Sequence, residues 1–140
     1  MTVIINSVEI ARPIEEVFDY LSDQSNELHW NPSVEAMEKL TDGPVRVGTR
    51  YRAKWKGAPT IVIECTRYDR PHGWTYRNGG PIAVTFDADL APTATGTALR
   101  VRFDASPQGW FRLVFPLFLV VIRKQERENM RCIKRVLEAR

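Results

Sequence analysis

Ile82-Ala83-Val84-Thr85-Phe86-Asp87-Ala88-Asp89-Leu90 puts apolar side chains at positions 82, 84, 86, 88 and 90 and polar ones at 85, 87 and 89. A period of two is that of a strand with one face buried and the other in water. After a turn over Ala91 to Gly96, Leu99, Val101 and Phe103 alternate in the same way with Arg100 and Arg102. Upstream, Tyr51, Ala53 and Trp55 oppose Arg50, Arg52, Lys54 and Lys56, and further strand-like runs cover Thr60–Tyr68 and Trp74–Asn78. The turns between them, Gly57-Ala58-Pro59, Asp69-Arg70-Pro71-His72-Gly73 and Gly79-Gly80-Pro81, are short and rich in turn formers. Five such runs predict an antiparallel meander with one wet face.

The period changes at both ends of this meander. Thr2 to Ile10 reads as a first strand, and Arg12-Pro13 stops it. Pro13 suits a helix start, where its missing N–H does no harm. Ile14, Val17, Phe18 and Leu21 then share one face of a short amphipathic helix. A second helical piece runs into His29-Trp30-Asn31-Pro32, where the proline ends it, and Val34 to Leu40 is a further strand. Beyond Ser106-Pro107-Gln108-Gly109, Leu113 to Ile122 is apolar throughout and Arg123 to Arg140 is amphipathic. The spacing predicts one long helix starting near Pro116, with Leu119, Ile122, Met130, Ile133 and Leu137 inward and Glu126 and Asn129 interrupting that stripe. Ten apolar residues are about half of what crosses a bilayer, so stable membrane insertion is not expected.

The chain has 140 residues, is 44% hydrophobic and 26% charged, and shows no repeat or linker, which fits one domain over residues 1–140. Cys65 and Cys132 lie far apart without metal-ligand spacing, so neither a disulfide scaffold nor a structural metal is expected, and the reading is cytoplasmic. Residues 1–48 carry three Lys/Arg against nine Asp/Glu, whereas residues 49–140 carry seventeen against eight. The basic residues mostly alternate with apolar ones along strands, as solvent-facing positions do, so nucleic acid is not expected as a partner.

The order of strand, helix pair, meander and long helix resembles the START/pathogenesis-related/polyketide-cyclase (SRPBCC) superfamily. Pro13-Ile14-Glu15-Glu16-Val17-Phe18-Asp19-Tyr20-Leu21 looks like that family's first helix, and Trp30-Asn31-Pro32-Ser33-Val34 like its entry to the second strand. Val47-Gly48-Thr49-Arg50-Tyr51 and Tyr68-Asp69-Arg70-Pro71 are similar to its turns before the third and fifth strands. Small bacterial polyketide cyclase/dehydrase-like proteins look most similar. The resemblance implies an α+β helix-grip fold, a seven-stranded antiparallel sheet wrapped round the last helix. It also implies a cavity between sheet and helix for a lipid, sterol, polyketide or other small hydrophobic molecule.

The residues that would line such a cavity are mostly aromatic. Trp30, Tyr51, Trp55, Trp74, Tyr76, Phe86 and Phe103 come from the second helix and the strands, and Phe115, Phe118, Ile122 and Asn129 from the last helix. The same residues would also fill an ordinary core. Trp and Tyr carry polar handles that need partners when buried, which favours a pocket. His29 and Glu126 are the candidate proton-handling groups, while His72 lies in a turn. Glu64 stands between apolar neighbours in a register the sequence leaves open. No GxSxG, HExxH, Walker or dinucleotide-binding signature is present, and no cofactor is expected. Binding of a hydrophobic ligand is therefore the leading expectation, with a cyclase or dehydratase acting on such a ligand as the alternative. Trp110 to Phe118 forms a separate apolar run, which would serve as a gate, a homodimer contact or a membrane-touching edge if exposed.

Overall fold

In the computed structural model, which describes residues 2–140, seven strands and three α-helices form one α+β domain. The strands are β1 (Thr2–Ile10), β2 (Val34–Lys39), β3 (Arg50–Trp55), β4 (Ile61–Asp69), β5 (Gly73–Asn78), β6 (Ile82–Pro92) and β7 (Thr97–Pro107). They pair antiparallel in the order β1-β7-β6-β5-β4-β3-β2. Helices α1 (Ile14–Ser22) and α2 (Glu27–Trp30), joined through a 3₁₀ turn at Gln24–Asn26, carry the chain from the β1 edge to the β2 edge. Helix α3 (Phe111–Glu138) follows the meander. This is the helix-grip architecture.

The alternation along each strand sets which side chains face α3. Tyr76 pairs with Phe86, Phe86 with Phe103 and Phe103 with Ile4, so an apolar row crosses β5, β6, β7 and β1. A parallel row runs through Trp74, Ala88 and Val101. Helix α1 closes one end of the core with Val17, Phe18 and Leu21. The Phe18 ring meets Tyr68 and Trp74 edge-on, with centroids 5.2 and 5.3 Å apart. Glu64 pairs with Arg50 and Arg77 across the strands and lies on the exposed face, where its carboxylate is 3.7 Å from the Arg50 guanidinium.

Helix α3 begins at Phe111, five residues before the expected start, and Pro116 lies inside it. The proline removes only the N–H that would bond to the Arg112 carbonyl, at an end of the helix already open to water. That placement turns Leu113, Leu117 and Val120 outward, with Leu113 84% and Leu117 75% exposed. The other end of α3 is anchored. Glu138 accepts from the Ala11 N–H at 2.8 Å, Lys134 donates to the Glu9 carbonyl at 2.8 Å, and Arg12 donates to the Glu138 carbonyl at 2.8 Å. Leu137, Ile133 and Met130 are buried beneath it. Among the described residues no helix is long and apolar enough to cross a membrane.

Candidate functional site

Between the first half of α3 and the concave face of the sheet lies a cavity of about 410 Å³. Its walls come from α2 (Trp30), from β3 and β4 (Trp55, Ile61, Ile63) and from β5 to β7 (Trp74, Tyr76, Ile82, Val84, Phe86, Phe103). Phe111, Phe118, Val121 and Ile122 of α3 form the roof. The turns at Lys56–Pro59 and Pro81 border it. Ile82, Val84, Phe86 and Phe103 point inward by their alternation but are only half-buried, because they border this space rather than packed atoms.

Nine of the eleven residues expected to contact a ligand therefore meet at the cavity: Trp30, Trp55, Trp74, Tyr76, Phe86, Phe103, Phe118, Ile122 and Asn129. Tyr51 and Phe115 do not. Tyr51 is fully buried in the core, donating its hydroxyl to Asp23 Oδ1 at 3.0 Å, and Phe115 is buried outside the lining. Tyr76 donates to the Ser22 carbonyl at 2.9 Å, so its polar handle is also satisfied, by the last residue of α1. Burial raises the ordinary pKa of both phenols, which keeps them neutral donors. His29 does not reach the cavity: it is exposed and borders a small outer groove with Leu28, Pro32, Cys132 and Arg135. Helix α2 has one inward face, and Glu27 and Trp30, three residues apart, occupy it.

Glu126 does line the cavity, and Glu27, which sequence reasoning missed, stands near it. The Glu27 carboxylate accepts from the Trp55 indole N–H at 3.0 Å. Burial pushes Glu27 up to about 8, against the opposing pull of the Trp55 hydrogen bond and with a further push from the Glu126 charge. Burial alone pushes Glu126 up to about 7. At neutral pH the site thus holds two carboxyl groups, at least one of them protonated, in an apolar enclosure. Asn129, one turn after Glu126, is buried and also faces the cavity. A pattern of Glu27, Trp30 and Asn31 at i, i+3 and i+4 was the available signal for Glu27, but a four-residue helix is too short to show a periodicity.

Among the described residues no cluster of three or more His, Cys, Asp or Glu is arranged to hold a metal ion. Chemically, the site can enclose an apolar molecule, hydrogen-bond its polar end, and give or take a proton near neutral pH.

Comparison with known proteins agrees with this geometry. The family model described as polyketide cyclase / dehydrase and lipid transport matches residues 1–138. Among solved structures, a protein of Thermus thermophilus is similar over 99% of this chain and 98% of its own, with 14% identity and a TM-score of 0.81. A conserved protein of Geobacillus kaustophilus is 18% identical over 97% of this chain and 95% of its own, with a TM-score of 0.76. The di-domain ARO/CYC StfQ from the steffimycin biosynthetic pathway is 14% identical over 98% of this chain and 50% of its own, with a TM-score of 0.75. At these identities the likeness is one of fold. No curated protein sequence matches the chain.

Proposed function

The chain belongs to the polyketide cyclase/dehydrase and lipid transport family, and on that premise we propose that it binds a small hydrophobic ligand in the space beneath α3. The observation that carries this reading is the cavity itself. Its volume of about 410 Å³ lies in the range of small-molecule sites, and its walls are mostly aromatic and aliphatic with polar side chains among them. An apolar guest would gain about 25 cal/mol for each Å² of its surface removed from water, without opening the fold. Two free, buried cysteines support a reducing, cytoplasmic setting.

Native mass spectrometry and organic extraction of freshly purified protein test the proposal. A stoichiometric apolar molecule is expected to travel with the chain or to enter it on titration, quenching Trp30, Trp55 and Trp74. A chain that carries none and shows no quenching with any apolar probe would overturn it.

A second reading, a cyclase or dehydratase acting on such a ligand, draws support from Glu27 and Glu126. Carboxyls pushed up to about 8 and 7 are poised to exchange protons at neutral pH. Under that reading Glu126→Gln abolishes turnover of a polyketide-like substrate while leaving its binding intact. Unchanged turnover in the variant would remove Glu126 from the chemistry.

A further inference from the structure

We infer that the polar corner formed by Glu27, Glu126 and Asn129 selects apolar ligands whose head donates hydrogen bonds, a protonated amine above all, and turns away anionic heads. This rests on the reading of the cavity as a hydrophobic-ligand site and names the class of molecule it takes.

The corner is built from two elements. Glu27 opens α2, and Glu126 with Asn129 lies three residues apart on the inner face of α3. Asn129 is only 7% exposed, yet among the described residues its side chain has no hydrogen-bond partner, and its open side is the cavity. Glu126 has none either; nothing in the protein offsets its desolvation. Both side chains open onto the cavity, so both keep hydrogen-bonding capacity that a ligand can meet. Glu27 is held in place by the Trp55 indole, which occupies one lone pair of its Oε2 and fixes the carboxyl at the cavity wall.

The sign of charge decides what can use that capacity. Lys56 is the single Lys or Arg of the lining, and it lies exposed in the turn after β3. Arg123, Lys124 and Arg127 of α3 are exposed and do not line the cavity. A carboxylate head in the corner would stand beside Glu126, with Lys56 in its exposed turn as the one cation of the lining, so wherever Glu126 is ionised like charge meets like in a low dielectric. An ammonium head would pair with Glu126 and give its three N–H groups to the Glu126 carboxylate, the Glu27 carboxyl and the Asn129 carbonyl. A hydroxyl head offers one donor and no charge, and so ranks between them.

Decylamine, decanol and decanoate, titrated below their micelle concentrations at pH 7.5 and followed by tryptophan quenching and calorimetry, test the assignment. The amine is expected to bind at least about tenfold more tightly than the acid, a difference of ~1.4 kcal/mol, with the alcohol between. The chain's net charge of +3 favours the acid at the outer surface, so an amine preference cannot come from non-specific attraction. Glu126→Gln and Glu27→Gln should each shrink the preference to within about threefold while decanol still binds. Glu128→Gln, the same charge change on the exposed side of α3, should leave it unchanged. Decanoate binding as tightly as decylamine, or a preference that survives in both cavity variants, would overturn the head assignment and leave the cavity reading standing. Failure of all three probes with a folded chain would overturn both.

Discussion

The two halves of α3 are one continuous helix with opposite relations to the sheet. From Met130 to Leu137 the inward side chains are buried, Met130 and Ile133 at the cavity wall and Leu137 wholly in the core, and hydrogen bonds to Ala11, Glu9 and Arg12 fasten the helix to the end of β1. From Phe111 to Ile122 it roofs an open space, and its outward side shows Leu113, Leu117 and Val120 to water. The second half is bound by burial and holds the fold. The first half hangs from it as a lever over the cavity, with Glu126 and Asn129 at the boundary. The difference teaches that hydrophobicity along a helix does not measure its contribution to stability, since the more apolar half buries less of itself.

Truncation in the anchored half should show the largest effect. Leu137 is fully buried, and Leu137→Ala should cost ~3 kcal/mol, within the 2–5 kcal/mol span of such changes, read as a shift of the denaturant midpoint. A cost below about 1 kcal/mol would mean that this half is no better packed than the other.

The boundary should make stability depend on pH. Glu27 and Glu126 hold their protons to about 8 and 7 in the folded chain but release them near 4.5 when unfolded. Their contribution is therefore complete below pH 4.5 and is lost as pH rises through 7 and 8. The fall begins above pH 4.5 and levels off above about pH 8, where both groups have ionised in the folded chain as well. Glu27→Gln and Glu126→Gln should each flatten the curve measured by denaturant unfolding from pH 5 to 9. A wild-type curve that rises over this range would show that the corner is open to bulk water.

Ile122 roofs the cavity, so Ile122→Ala enlarges a space that already exists instead of creating one. About 1 kcal/mol is expected, roughly a third of the Leu137 value. The same variant should bind bulkier apolar probes more tightly. Equal costs at 122 and 137 would erase the contrast between the halves.

The extent to which this was legible follows the same division. Strict alternation, as in Ile82 to Leu90, identified strands because side chains alternate faces whatever the neighbours do. The anchored half of α3 was legible too, since Met130, Ile133 and Leu137 keep helical spacing. The start of α3 was not. An all-apolar run from 113 to 122 carries no period, and Pro116 attracted the helix start to itself. Tyr51 shares the strand face of Trp55 and still falls outside the cavity. Distance along a strand from the roof decides that, and a face pattern has no coordinate for it. Glu27 stayed hidden because its partner Trp55 lies 28 residues away.

The smallest effect is expected on the outward face of the first half. Leu117 is 75% exposed, so Leu117→Ser changes little that folding buries and should alter stability by no more than ~0.5 kcal/mol. Helix propensity sets the remainder, since serine is a slightly poorer helix former than leucine. A side chain that loses no water contact on folding cannot report on the sheet beneath it. A cost above about 1 kcal/mol would consequently mean that residues 110–118 are covered in solution, as a second copy of the chain would cover them. In that event the midpoint of unfolding would rise with protein concentration, and sedimentation of wild type and Leu117→Ser would separate. An invariant midpoint with a single monomer mass leaves the outer face of the roof in water, where the structure puts it.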